Sequence, residues 1–459
     1  MNLFSEVFLQ TPAPWREVLS YYCQVRVNSA KLYRGILLLE LKTTIRKKAA
    51  TIILLFFLPA FSLFCQNTRS DALTLKIAVI GPGDELYFWW GHIGLVAEDK
   101  ISGTSRFFDW GVFSFDNENF FLNFAYGRLI YSCMVSNAEY NFSHFIRTNR
   151  DITLYTLDLP GDKKEAVMRF AENNMLPENR DYNYHHFEDN CATRIRDIVD
   201  LALDGRFKAD FINERSRFTL RQHVRRHTWF SPFFDWLLNF LMGQDIDRPI
   251  TVWDDMFLPS EIATRIKDYH YMDSAGNERS LVSSVEVMNR SVGRPIVLDI
   301  PRKQWPRELF VSLVFSALLV SVYLFCSKKK FVRIFLGLAQ SLLGLFFGIS
   351  GSVLFFMTFF TDHDYTYHNS NVFYVNPLFF AALPLGLIFA FTHNEKKRFV
   401  ATRLSRAFWT YILLGGFLTM VIKLSPAFYQ QNQVTQALVM PVALVMLVLM
   451  GLEGRLKKQ

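Results

Sequence analysis

Five apolar segments, at roughly 308–326, 331–360, 377–393, 407–425 and 435–452, constrain this chain more than any other feature. An α-helix rises about 1.5 Å per residue and the hydrocarbon core of a bilayer is about 30 Å thick, so each segment reads as a membrane crossing. The second is longer than the hydrocarbon requires and is expected to tilt or to project beyond it. Basic clusters flank these segments: Lys328-Lys329-Lys330, Lys396-Lys397-Arg398 and Arg455 to Lys458. Placing all three in the cytoplasm satisfies the positive-inside rule and puts the 361–376 and 426–434 loops outside, together with residues 70–306. The net charge of +8 is accounted for by these flanks, and no nucleic-acid motif accompanies it, so nucleic-acid binding is not expected.

The remainder of the chain divides by composition. Residues 1–48 form an N-terminal extension that fits no targeting pattern. Residues 49–66, with Arg46-Lys47-Lys48 before them and Ala49 to Phe64 as an apolar run, read as a signal peptide or a signal anchor. Within 70–204, strand-like runs are expected at 75–80, 92–98, 106–113, 128–135 and 153–159, and helices at about 117–125, 138–147, 161–175 and 191–204. That order predicts an α+β domain with a mainly antiparallel sheet. Residues 205–306 read as a helical, aromatic-rich extension, and 307–459 as an all-α transmembrane domain of five helices.

Chemistry concentrates at Asp189-Asn190-Cys191-Ala192-Thr193-Arg194. Asn190 is placed as the N-cap of an amphipathic helix, which sets Cys191 in its first turn. The free amides and positive dipole end of such a turn favour a thiolate. A nucleophilic thiolate calls for a base. His92, in Trp90-Gly91-His92-Ile93-Gly94, lies on a strand-like run with glycine close on both sides. Strand alternation would put Trp90, His92 and Gly94 on one face. A histidine on a strand followed by a cysteine that opens a helix is the order of a permuted papain-like thiol site. Asp109, on the next strand of the expected hairpin, is the candidate to orient the imidazole, with His185 and His186 as competitors. Asn190, Tyr184 or a backbone N–H at the Cys191 turn is a candidate oxyanion donor. Trp89, Trp90 and Trp110 are candidates to exclude water, and Trp90 to touch substrate. In the outer loop, Asp362 to Asn369 is unusually polar, and His363 and His368 are candidate head-group contacts. The five cysteines show no metal-site spacing, so no metal and no cofactor is expected. Cys133 sits in a strand-like run and reads as a buried, inert thiol.

These residues carry a family resemblance. Gly81-Pro82-Gly83-Asp84-Glu85-Leu86-Tyr87, Gly91-His92, Phe113-Ser114-Phe115-Asp116, Tyr126-Gly127 and Pro177-Glu178-Asn179-Arg180 lead to the Asp-Asn-Cys-Ala-Thr-Arg block. Phe218-Thr219-Leu220-Arg221, Met256-Phe257-Leu258-Pro259 and Asn376-Pro377-Leu378 follow it. Together they resemble the Lnb family of bacterial lipoprotein N-acyltransferases. The resemblance implies a periplasm-facing domain of the permuted papain-like type, similar to NlpC and lecithin:retinol acyltransferase-like enzymes, joined to membrane helices in the inner membrane. It further implies a phospholipid acyl donor, a lipoprotein acceptor, Cys191 as nucleophile and His92 as its base. Two other classes compete: an NlpC-type cell-wall peptidase or amidase, and a non-catalytic membrane scaffold. Five further membrane segments argue against the first, and the thiol, histidine and capped turn against the second.

Overall fold

The computed structural model describes residues 71–113 and 119–455. The N-terminal extension, the apolar run of 49–66, Ser114-Phe115-Asp116 and the last basic residues lie outside the described residues. The strands are β1 (Leu73–Ile80), β2 (His92–Asp99), β3 (Thr104–Val112), β4 (Ile130–Asn137), β5 (Ile152–Leu157), β6 (Asp181–Asn183), β7 (His270–Met272), β8 (Glu278–Ser280) and β9 (Val282–Asn289). Seven form one antiparallel sheet in the order β6-β4-β3-β2-β1-β5-β9, and β7 and β8 pair separately. The antiparallel α+β expectation is met.

The helices of this part are α1 (Phe120–Tyr126), α2 (Ala138–Arg147), α3 (Gly161–Asn173), α4 (Cys191–Ala202), α5 (Arg206–Phe211), α6 (Leu220–Thr228), α7 (Pro232–Leu241), α8 (Val252–Asp255) and α9 (Pro259–Lys267). Central strand β2 is buried on both faces from His92 to Ala97. Its Ile93 and Leu95 join Ile77, Phe108 and Trp110 in a core with Val167 and Met168 of α3 and Ile195 and Val199 of α4. The opposite face, through Ala78, Val96 and Phe107, packs on Phe142 and Phe145 of α2. Alternation along β2 and β3 therefore points His92 and Asp109 towards the α2 side.

Residues 205–306 are more than a helical extension, because β9 completes one edge of the main sheet beside β5. They also fasten that sheet to the membrane helices. Arg221, fully buried, donates to Asp247 (2.8 Å) and to the carbonyls of Asn239, Met242 and Gly243. Asp247 in turn accepts the amide of Gln431 (3.0 Å), and Gln430 donates to Met242 O (3.0 Å).

The membrane part comprises α10 (Trp305–Phe325), α11 (Lys329–Phe360), α12 (Ala382–Phe391), α13 (Glu395–Ile422) and α14 (Gln433–Arg455). Among the described residues, five spans are long and apolar enough to cross a bilayer, the third being the composite 370–391. That span is not one helix as its hydropathy suggests. It begins with 3-10 turns Ser370–Phe373 and Pro377–Ala381, and Asn376 caps the break by accepting the amide of Leu378 (3.0 Å) and donating to Val372 O (2.8 Å). Non-helical backbone at this depth is tolerated because such groups satisfy it internally. The 361–376 and 426–434 loops both meet the sheet domain's side of the bundle, through Asp362–Arg128 (3.0 Å) and Gln430–Met242. The basic clusters at Lys328 and Lys396 open α11 and α13, and α11 carries its cluster at the end away from the 361–376 loop.

Candidate active site

Cys191 is the first residue of α4, half-buried at the end of the sheet where β2 begins. Asn190 is extended (φ −137°) and its Oδ1 accepts the amides of Ala192 (2.8 Å) and Thr193 (3.0 Å), while Thr193 Oγ1 accepts the amide of Asn190 (2.8 Å). This reciprocal box satisfies the orphan donors of a helix start. The Asn190 Nδ2 donates to His186 O (2.8 Å) and Phe257 O (3.1 Å). With its oxygen and both amide hydrogens engaged, Asn190 is a cap and not an oxyanion donor. The cap leaves out the amide of Cys191 itself.

His92 Nε2 lies 3.0 Å from Asp109 Oδ1. The same oxygen accepts the amide of Gly111 (2.7 Å), at an irregularity of β3 against β4 between Asp109 and Val112. Gly111 matters because a Cβ there would sit 2.6 Å from His92 Cε1. Nε2 being taken by Asp109, Nδ1 is the ring nitrogen left to serve the Cys191 sulfur, whose charge the imidazole feels. Burial opposes charge on the imidazole, but Asp109 and Cys191 outweigh it and push the pKa up to about 10. Burial likewise opposes the Asp109 carboxylate, and His92, the Gly111 amide and Arg150 hold it below its ordinary value. His92 and Asp109 thus form an imidazolium–carboxylate pair beside the thiol.

This pair makes stability depend on pH with a definite sign. A histidine raised from 6.5 to about 10 stabilises the fold fully below 6.5, and that contribution is lost as pH rises through about 10. Asp109, lowered, contributes above the ordinary carboxylate range and loses its contribution as pH falls through its depressed value. Thermal unfolding of the full chain, followed from pH 7 to about 10, should shift downwards more steeply in the wild type than in His92→Ala. Equal slopes would mean that His92 is not held charged.

Three tyrosines feel the thiol. Tyr184 and Tyr131 are stacked with centroids 4.1 Å apart, and burial followed by the nearby Cys191 raises both phenols, as it does Tyr182. They stay neutral donors. The Tyr182 hydroxyl is already donated to Trp110 O, and the Arg194 guanidinium covers its ring at 4.4 Å while pairing with Asp189 (2.6 and 2.7 Å).

The tryptophans are elsewhere. Gly91 adopts a left-handed φ of 81°, where a Cβ would meet Ile80 O at 2.8 Å, so the strand and its alternation start at His92 and do not reach Trp90. Trp90 packs beside His227 and the Phe187–Phe257 cluster, Trp89 against Phe230 and Phe234, and Trp110 inside the main core. They do not form one pocket.

In the outer loop, His363 bridges Phe124 O (3.0 Å) and the Tyr365 hydroxyl (2.8 Å), and His368 binds Asp245 (2.7 Å) at the surface. Both hold the loop. His185 pairs with Asp364 (2.8 Å) and is not the partner of His92. His186 is edge-on to Tyr184 (5.4 Å) and Tyr365 (5.2 Å), and burial takes it down to about 4. Sequence patterns do not point to Tyr131, Tyr365 or Arg150. Arg150 is buried, donates to Gly81 O (2.8 Å), and lies over Phe88 (4.5 Å) and Phe145 (5.2 Å). Its sequence setting, Arg147-Thr148-Asn149-Arg150-Asp151, reads as an ordinary charged turn after α2.

Residues 61–226 match the family model described as the Lnb N-terminal periplasmic domain. No curated protein and no solved structure matches the chain.

Proposed function

The chain is a multi-pass membrane protein of the Lnb family with a periplasmic domain, and from that premise we propose that it is a lipoprotein N-acyltransferase. On this reading it moves an acyl chain from a phospholipid to the α-amine of a lipoprotein's N-terminal cysteine. The observation that carries the proposal is the Cys191–His92–Asp109 array, set at a helix start on a domain fastened to membrane helices. The order of strand histidine and helix cysteine supports a permuted papain-like arrangement of 70–204, with 205–306 as its bridge to the membrane helices 307–459.

In the first half-reaction the Cys191 thiolate attacks the ester carbonyl of the phospholipid. A C–S bond forms, the ester C–O bond breaks, and the lysophospholipid alkoxide leaves with the proton of the His92 imidazolium. In the second, His92 is the base. The lipoprotein amine attacks the thioester carbonyl, a C–N bond forms, the C–S bond breaks, and the amine proton passes to His92 as the thiolate is restored. Asp109 accepts from Nε2 in both halves and keeps the charged ring in place. The Cys191 amide and the neutral Tyr184 hydroxyl are the donors proposed for the tetrahedral oxyanion. His363 and His368 would affect head groups only through the loop they hold. A thioester reacts readily with amines, and anchoring both lipidated partners in one membrane supplies proximity that a soluble hydrolase lacks.

The direct test is mass spectrometry of a lipoprotein's N-terminal peptide in cells with and without this protein. The added acyl group should be present only with it. An unchanged peptide, together with cleavage of soluble muropeptides by the purified full chain, would replace this reading with the NlpC-type peptidase.

A further inference from the structure

Helix α1, Phe120–Tyr126, is almost wholly apolar yet half open: Phe121 is 74 % exposed, Leu122 55 % and Phe124 51 %. Isolated exposed apolar residues need no explanation, but a continuous apolar face on one short helix does. The position of α1 supplies one. The Asp362 amide donates to Tyr126 O (2.8 Å), Arg128 pairs with Asp362 (3.0 Å), His363 meets Phe124 O (3.0 Å), and the Tyr126 ring lies 5.7 Å from that of Phe356 on α11. From Arg333, the last of the basic residues opening α11, to Phe356 the helix rises about 35 Å, against about 30 Å of hydrocarbon. Phe356 thus stands at the outer boundary of the bilayer, and α1 is held at that level.

Inward from α1 runs a row of rings. Phe124 stacks on Phe120 (6.2 Å), Phe120 on Phe113 (6.0 Å), Phe113 lies against Tyr131 (4.9 Å), and Tyr131 stacks on Tyr184 (4.1 Å), where both phenols sense Cys191. We infer that α1 is seated in the outer leaflet and that the row Phe120–Phe113–Tyr131 guides a phospholipid acyl chain from that leaflet to Cys191. The seating rests on the geometry alone, and the guiding of a donor chain rests on the acyltransferase reading above. The occupant is a bilayer lipid and not a protein partner, because the apolar face runs on through Tyr126 to Phe356 and the exposed Phe360 at the outer end of a membrane-spanning helix.

The experiment uses the full chain in phosphatidylethanolamine–phosphatidylglycerol nanodiscs. A photo-crosslinking amino acid at Phe121 should give phospholipid adducts by mass spectrometry, and one at Ile101, 70 % exposed at the far end of β2, should not. Phe121→Asp combined with Leu122→Asp should raise KM for vesicle donor lipid by about tenfold or more, with alkylation of Cys191 by iodoacetamide unchanged as the check on folding. Equal lipid adducts at the two positions, or a wild-type KM in the double variant, would overturn the inference. Absence of any acyl transfer by the wild type would instead defeat the acyltransferase reading and the guiding role with it, and the cross-links would still decide the seating of α1.

Discussion

Cys191→Ser should abolish acyl transfer, with a loss of about three orders of magnitude or more, the scale seen when a nucleophile acting as part of a unit is removed. The serine hydroxyl would occupy the same first-turn position beside His92. An imidazole already paired with Asp109 and held protonated is matched to a thiolate, and does not take a proton from an alcohol at neutral pH. Cys133→Ser is the control. Cys133 is buried on β4, its Sγ lies 3.6 Å from Met175 Sδ, and burial first of all pushes its thiol up to about 12. The serine variant should lose some stability, since a hydroxyl is left among apolar groups, and keep near-wild-type activity. Transfer assays with the full chain in nanodiscs read both. Similar activities for the two variants would remove Cys191 from the role of nucleophile.

His92→Ala should lose about two to four orders of magnitude, the usual range for a positioned acid–base group. Asp109 tests the geometry more finely. Its Oδ1 accepts from both His92 Nε2 and the Gly111 amide, and an asparagine oxygen can accept both as well. Asp109→Asn should therefore keep the ring in place but lose the charge that holds the imidazole towards a pKa of about 10. Asp109→Ala loses the charge and leaves two donors unpaired, so it should lose more activity than Asp109→Asn. The pH profile adds a sign. The basic limb of acyl transfer, set by loss of the imidazolium proton that the leaving alkoxide needs, should move from about 10 towards neutrality in Asp109→Asn. Full activity in Asp109→Ala would remove the orienting role.

Much of this arrangement is legible in the chain because local rules and tertiary structure agree. Val79, Ile93, Leu95 and Phe107 alternate with their neighbours and form strands, and Asn190 and Thr193 are spaced for the reciprocal cap that sets Cys191 at a helix start. The Asp109–His92 contact follows from a hairpin that begins near Gly91. What is not legible depends on distant partners or on a single backbone angle. Trp90 leaves the His92 face because Gly91 takes a positive φ. The edge strand β9 finds β5 from more than a hundred residues away, across intervening helices, as the Thr153–Val287 register shows. Asn376-Pro377 breaks the third span although its hydropathy is continuous. Tyr365 and Arg150 come near the site only once the loop after α11 and the turn after α2 are folded.

The measurement that bears most directly on the central claim is intact and peptide mass spectrometry of the full chain after incubation with phospholipid and no lipoprotein acceptor. An acyl-thioester reading predicts one added acyl mass on the peptide carrying Cys191, removed by neutral hydroxylamine, absent in Cys191→Ala, and discharged when a lipoprotein N-terminal peptide with a free amine is added. An unmodified Cys191 in a preparation that still acylates the peptide would contradict it, because the acyl group would then have travelled without passing through the thiol.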